Sequence, residues 1–155
     1  MNVRYDAINP ELFIKNRKKL CNVLKKNSLA IFHSNDEMLR NGDCFFPFRQ
    51  NSDLFYLCGI DQEQSILLLF PDCQNPVYRE VLFVRKTSEQ IKIWEGHKYT
   101  KQEASEISGI KTIFWLENFN GIIKLLTNDV QNIYVNQNEH DRAKSDIDSR
   151  NLRFT

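Results

Sequence analysis

The sequence predicts a single α/β domain in which a mixed β-sheet is flanked by helices. Two continuous apolar runs, from Ser65 to Phe70 and from Val81 to Val84, are typical of strands that are covered on both faces. The link between them is turn-rich and short enough for antiparallel neighbours, and the other predicted strands alternate with helices. A chain of 155 residues, 41% of them hydrophobic, suffices for one core but not two, so we expect one domain over residues 1–155.

The first elements are predicted to be a helix and a strand. Asn9 can cap a helix and Pro10 is pre-set for its first position, so a helix is expected from here to about Lys26. The apolar run of residues 29–32 predicts the first strand. Six basic side chains on the predicted helix are interpreted as its solvated face: Lys15, Arg17, Lys18, Lys19, Lys25 and Lys26.

A loop and a short helix come next. Residues 33–46 are polar and predict an exposed loop, with a turn signal at Gly42. A short helix is predicted from Asp53 to Cys58, with Phe55, Tyr56 and Leu57 supplying packing. Both of its ends carry capping residues, which are Asn51 or Ser52 at the start and Gly59 at the end.

The second half of the chain continues the alternation of helices and strands. Thr100 and Glu103 have the spacing of a capping box, which opens a helix that stops at Gly109. Four further elements follow: a strand from Lys111 to Phe114, a helix from Asn118 to Leu126, a strand from Ile133 to Val135 and a closing helix from Asp141 to Leu152.

Charge and cysteine content exclude several classes of partner. Twenty-one basic and twenty acidic side chains give a net charge of +1, which offers no electrostatic basis for binding nucleic acid or an anionic membrane. No apolar run approaches the roughly 20 residues that span a bilayer. The four cysteines form no C-x-x-C pair and no signal peptide precedes them, so we expect reduced thiols and a cytoplasmic location.

The segment from Pro47 to Gly59 reads P-F-R-Q-N-S-D-L-F-Y-L-C-G. It resembles the P-[YFW]-R-Q-[ND]-S-[DN]-[FL]-x-Y-L-x-G stretch of Xaa-Pro aminopeptidases, the aminopeptidase P branch of the creatinase/prolidase superfamily. Residues 13–20 are similar to the family's first helix, F-x-x-x-R-x-x-L, and residues 81–85 with 93–96 resemble its strand and tryptophan–glycine loop. Six residues form a signature that we interpret as structural, because capping and interdomain anchoring explain it best: Arg49, Gln50, Asn51, Ser52, Asp53 and Gly59.

The resemblance implies a ribonuclease-H-like motif in the creatinase/prolidase N-terminal domain, which is not catalytic. In the family this domain contributes to oligomer contacts and borders the cleft of a C-terminal pita-bread domain that holds two metal ions, commonly manganese. The implied parent, a homodimer or homotetramer, releases the N-terminal residue from peptides with proline in second position. Since nothing in residues 1–155 resembles the catalytic domain, we expect this chain to contain no catalytic residue or metal ligand and to be inactive alone.

Two residues are candidates for the rim of a neighbouring subunit's active site. The resemblance places Trp94 in the tryptophan–glycine loop that helps to receive the peptide, and Asp43 at the position of an aspartate that pairs with arginine near the cleft. Each has a simpler structural interpretation, because Trp94 suits packing over a sheet edge and Asp43 suits a turn after Gly42. His97 and Lys98 follow Gly96, where the family often has arginine.

The sequence also bears on three other possible functions, namely a metal site, a nuclease and a binding module. His33, His97 and His140 lack the spacing of a metal site, so a surface or loop position is expected for each. A nuclease would need carboxylates on the central strands, which the two long apolar runs lack. A stand-alone protein-binding module stays open as the alternative, since apolar groups that meet a second domain would equally suit another protein.

Overall fold

The computed structural model describes residues 7–88, 90, 91, 93 and 96–136. Its helices include α1 (Pro10–Cys21), α2 (Ser52–Cys58), α3 (Lys101–Ser108) and α4 (Phe119–Leu126). Its strands are β1 (Ser28–His33), β2 (Leu39–Asn41), β3 (Cys44–Phe45), β4 (Ile66–Leu69), β5 (Glu80–Val84), β6 (Thr112–Trp115) and β7 (Asn132–Val135). The predicted α/β class, with a mixed sheet flanked by helices, is confirmed.

The main sheet has five strands in the order β6-β5-β4-β1-β7. Strand β4 runs antiparallel to both of its neighbours, with Leu69 opposite Ala30 on β1 and Ile66 opposite Phe83 on β5. Both outer pairs are parallel, β6 with β5 and β7 with β1. The prediction that the two apolar runs are antiparallel neighbours at the centre of the sheet is therefore correct.

Helices cover both faces of this sheet, which explains the continuous apolar runs. Alternate residues of β4 and β5 point to opposite sides, and every residue of β4 is buried. On one side Leu67 and Leu82 pack against Leu54 and Leu57 of α2, and on the other side Phe83 packs against α4. The Phe83 ring meets the Phe119 ring edge-on, with the centroids 5.2 Å apart.

Some predicted boundaries were wrong. Helix α1 ends at Cys21 instead of about Lys26, because residues 22–27 turn back toward β1 and Asn27 adopts a positive φ of 52°. Residues 37–46 are exposed as expected, but the start of the predicted loop is not, since His33 is the half-buried last residue of β1 and Ser34 is buried. Nor is the rest a loop throughout, because β2 and β3 form a two-stranded sheet within it. The closing helix expected from Asp141 to Leu152 lies outside the described residues.

Arg17 is the clearest departure from the sequence interpretation, because its side chain is completely buried and not solvated. Its Nη1 donates to the carbonyl oxygens of Leu57 and Ser108, each at 2.9 Å, and its Nε lies 3.1 Å from Glu80 Oε2. The last carbonyls of a helix lack partners within it and carry partial negative charge. A single guanidinium from α1 thus satisfies the C-terminal ends of both α2 and α3.

Candidate functional site

The corner formed by the signature segment is organised around Gln50, whose side chain is buried. Its Nε2 donates to the carbonyl oxygens of Ile60 and Gln62, at 2.9 and 2.8 Å. Its Oε1 accepts from the backbone N–H groups of Asn35 and Asn51, at 3.2 and 2.8 Å. A glutamine amide has two donor hydrogens and two lone pairs, and all four are used here. The amide therefore holds the backbone of the corner together and has no capacity left for a ligand.

The short helix α2 begins and ends as its sequence indicates. Asn51 is the N-cap, and its Oδ1 accepts from the N–H groups of Asp53 and Leu54 at 2.9 and 3.2 Å. Gly59 ends the helix with a φ of 70°, and its N–H donates to the Phe55 carbonyl at 2.8 Å. The choice between Asn51 and Ser52 as the cap is thereby settled in favour of Asn51.

The remaining signature side chains face solvent. Ser52 and Asp53 are exposed in the first turn of α2, and Arg49 is exposed just before it. The packing expected of Tyr56 was wrong, because its side chain is 53% exposed, whereas Leu57 is buried at 2%. These side chains lie one position apart on a helix, so they point in different directions and only one can reach the core.

A surface groove of about 360 Å³ separates the start of α1 from α2. Its lining is largely apolar, but the charged side chains of Arg49 and Asp61 also contribute to it. The main apolar contributors are Leu12, Phe13, Phe55 and Tyr56. The exposed side of the signature segment is therefore one wall of a concave surface.

Asp43 lies in the connection between β2 and β3, directly after Gly42 at a φ of 56°. Its side chain is exposed, and its Oδ1 accepts a weak hydrogen bond from Cys44 Sγ at 3.9 Å. Large apolar side chains on this hairpin are between 49% and 65% exposed: Met38, Leu39, Phe45 and Phe46. A hairpin that exposes this much apolar surface is typical of an interaction site.

Trp94, the other rim candidate, lies outside the described residues, and so does His140. The stretch that carries Trp94 follows Arg85, just after β5; the last described residue before Trp94 is residue 93, and the first described residue after it is Gly96. His97 Nε2 lies 3.1 Å from Glu103 Oε1, near the capping box of α3. The structure therefore fixes both ends of this segment, and the relation of Asp43 to Trp94 stays a prediction.

Both ends of the segment meet at Glu63, a contact that no sequence pattern indicates. The Glu63 Oε1 atom lies 3.3 Å from Arg85 Nη1 and accepts a hydrogen bond from Lys98 Nζ. The carboxyl side chain is only 6% exposed. Burial alone would raise its pKa, but the Lys98 hydrogen bond and charge, with help from Arg85, hold the pKa below its usual value of 4.5.

The residue types needed for a metal site are not gathered in the part of the chain that the structure describes. Across residues 7–88, 90, 91, 93 and 96–136, no group of three or more His, Cys, Asp or Glu side chains is placed to hold a metal ion. Nor does any helix within these ranges have the length and apolar character to cross a membrane.

Two curated proteins of similar sequence are Xaa-Pro aminopeptidases. The Xaa-Pro aminopeptidase of Haemophilus influenzae is 27% identical over 135 residues, covering 86% of this chain and 31% of that protein. The Xaa-Pro aminopeptidase of Escherichia coli is 27% identical over 144 residues, covering 92% of this chain and 32% of that protein. The chain therefore spans about a third of the length of these curated relatives.

Solved structures share the fold as well. A Bacillus anthracis protein assigned as an aminopeptidase P superposes with a TM-score of 0.84 at 25% identity, covering 95% of this chain and 35% of that one. Escherichia coli aminopeptidase P with the inhibitor Pro-Leu gives 0.75 at 25% identity, covering 89% and 31%. The zinc-substituted Escherichia coli enzyme in complex with product gives 0.75 at 26% identity, with the same coverage.

The family described as "Aminopeptidase P, N-terminal domain" matches residues 13–134. This span includes the whole main sheet except for the last residue of β7, together with the signature corner and Asp43. The chain belongs to the aminopeptidase P N-terminal domain family.

Proposed function

We propose that this chain is the non-catalytic N-terminal domain of an Xaa-Pro aminopeptidase, which contributes to oligomerisation and to the rim of a neighbouring subunit's active site. The observation that carries the proposal is the family match over residues 13–134, in a chain that spans about a third of the relatives' length. The parent enzyme releases the N-terminal residue from peptides with proline in second position. Its C-terminal catalytic domain is the first partner of this chain.

The chemistry of the parent is expected to reside in that catalytic domain. Two divalent metal ions, which we propose to be manganese, activate a water molecule for attack on the peptide bond. Support comes from the relatives, since the Escherichia coli enzyme has been solved in a zinc-substituted form with product and with the inhibitor Pro-Leu. We expect the 155-residue chain alone to be inactive, because the described residues do not assemble a ligand set.

The exposed hairpin supports the oligomeric part of the proposal. Apolar side chains on both sides of Asp43 are largely exposed, and removing apolar surface from water is the main favourable contribution in most protein–protein association. An interface at this hairpin would bring Asp43 to the rim of the partner's cleft, where a carboxylate can pair with arginine. We assign the second rim contact to Trp94.

The state of the cysteines supports a proposal about the compartment. Cys21, Cys44, Cys58 and Cys73 are all free. Free thiols suit a reducing compartment, so we propose that the enzyme works in the cytoplasm.

The test is steady-state kinetics on the complete enzyme that carries this domain, with an Xaa-Pro peptide and Mn²⁺. Asp43→Asn and Trp94→Leu should each lower kcat/KM by about tenfold or more, because both changes misplace the peptide without removing the metal site. Asp129→Asn, an exposed change in the turn after α4, is the matched control. Unchanged kinetics in both rim variants, with unfolding temperatures like the wild type, would refute the rim assignment.

A stand-alone binding module is the second candidate, and the same exposed hairpin favours it. Gel filtration of the isolated chain and of the complete enzyme distinguishes the two proposed functions. The proposed function predicts oligomers whose formation depends on Leu39 and Phe45. The double variant Leu39→Asp/Phe45→Asp should then reduce both assembly and activity of the complete enzyme. A complete reading frame without metal-ligand motifs downstream of Thr155 would instead support the binding module.

A further inference from the structure

We infer that Glu63 is a positioning residue that fixes the segment between Arg85 and Lys98 at both of its ends. This inference rests on the proposed function, which assigns that segment to the substrate rim. Its geometric basis is that Arg85 precedes the segment, Lys98 follows it, and both cations bind the same oxygen atom, Glu63 Oε1. A single carboxylate therefore brings together two points that are far apart along the chain.

The burial of this cluster distinguishes it from an ordinary surface ion pair. Glu63 is 6% exposed, Lys98 12% and Arg85 23%. Nearby, Lys86 also pairs with a carboxylate, that of Glu117 at 3.5 Å, but those two side chains are 63% and 58% exposed. Exposed pairs of this kind contribute little because water and salt screen them, whereas removing one member of a buried cluster leaves its partners uncompensated. Glu63 is thus a buried contact at both ends of the segment, unlike the exposed Lys86–Glu117 pair.

A second contact joins the residues next to Glu63 and Lys98 in the sequence. The N–H of Tyr99 donates to Gln62 Oε1 at 2.7 Å, directly beside the Lys98–Glu63 contact. The Gln62 carbonyl in turn accepts from Gln50 Nε2 at 2.8 Å. Gln62 and Glu63 therefore connect the signature corner to the end of the segment, so the buried glutamine of the signature supports the segment through them.

This arrangement gives the signature a role in the parent reaction without any contact with substrate. Fixing both ends of a segment reduces the number of conformations it can adopt before substrate arrives. Substrate-positioning groups must be held closely, because small displacements weaken binding and catalysis. Loss of Glu63 should consequently weaken peptide binding more than it slows the chemical step.

The experiment compares Glu63→Gln with the matched control Glu117→Gln in the complete enzyme. Hydrogen exchange followed by mass spectrometry reports the anchoring, and KM and kcat for an Xaa-Pro peptide report its use. In Glu63→Gln, exchange of residues 86–98 should accelerate by about tenfold while peptides from β1 and β4 keep wild-type rates. KM should rise by about three- to tenfold, with a smaller change in kcat. The Glu117→Gln control should show neither effect.

Lys98→Met serves as a second variant, since it leaves the Arg85–Glu63 pair in place. Faster exchange should then be confined to the part of the segment nearest residue 98. Exchange that stays at wild-type rates in both variants, or that rises uniformly over the domain, would overturn the anchoring role.

A third variant, Trp94→Leu, distinguishes an error in the role inferred for Glu63 from an error in the proposed function. If Trp94→Leu raises KM but Glu63→Gln does not, the positioning role of Glu63 is wrong and the rim assignment stands. If neither variant changes KM, the rim assignment itself is wrong, and the role of Glu63 in catalysis falls with it.

Discussion

The ring of Phe13 lies directly against Gly59, where a Cβ atom would come within 2.4 Å of the Phe13 Cε2 and Cζ atoms. Gly59 also adopts a left-handed backbone conformation, with a φ of 70°, where it ends α2. Phe13 belongs to α1, is 2% exposed, and meets the Phe55 ring edge-on with centroids 6.3 Å apart. The final glycine of the signature is therefore required twice, by the backbone conformation and by the packing of α1 on α2.

Replacement of Gly59 by alanine should destabilise the domain by about 2–5 kcal/mol. A left-handed conformation costs an L-residue roughly 1–2 kcal/mol, and forcing an extra methyl group into a packed site adds roughly 1–3 kcal/mol. Gly42→Ala is the matched control, because Gly42 has a similar φ of 56° but no atom within 4 Å of the position that a Cβ would take. Urea unfolding of both variants measures the two free energies, and equal losses would show that the contact with Phe13 adds nothing.

Replacement of Arg17 should be more damaging than that of any neighbouring lysine. Arg17→Met removes the donor shared by the Leu57 and Ser108 carbonyls and leaves Glu80 without its cation, at an expected cost of about 3–5 kcal/mol. Lys18→Met, next in sequence but exposed, should change the free energy of unfolding by less than about 0.5 kcal/mol. Thermal or urea unfolding provides the comparison, and similar values for the two variants would contradict the assigned role of Arg17.

The fate of Arg17 shows what could and could not be predicted from the sequence. Helix caps such as Asn51 and Gly59 were predictable because they satisfy backbone groups within a few residues. The two buried central strands were predictable because their apolar runs are continuous. Arg17 was misread because a basic residue on a helix gives no sign of carbonyl partners that lie 40 and 91 positions away. The Glu63 cluster could not be predicted for the same reason, since Arg85 and Lys98 lie 22 and 35 positions away from Glu63.

The four thiols should differ widely in reactivity toward iodoacetamide at mildly alkaline pH. Burial raises the pKa of Cys58 to about 12, and burial together with the charge of Glu80 raises that of Cys21 to about 11. Since only the thiolate reacts, native Cys58 should be modified only when the domain unfolds, whereas the exposed Cys44 should react first. Mass spectrometry of timed samples measures this order, with Cys44→Ser as the control that removes the fast phase. Early labelling of Cys58 in the folded domain would contradict its buried position.

The Glu63 cluster should make part of the domain's stability depend on acid pH. The pKa of Glu63 is held below its unfolded value of 4.5, so its ionised form stabilises the folded state fully above that value. This contribution is lost as pH falls through the lowered pKa, because protonation removes the carboxylate charge that faces Lys98 and Arg85. The difference in unfolding free energy between wild type and Glu63→Gln should therefore be constant from neutral pH down to pH values just above 4.5 and shrink below it. Urea unfolding across this pH range measures how the difference changes, with Glu117→Gln as the exposed control. A difference that stays undiminished at the most acid pH would show that Glu63 acts through packing and not through charge.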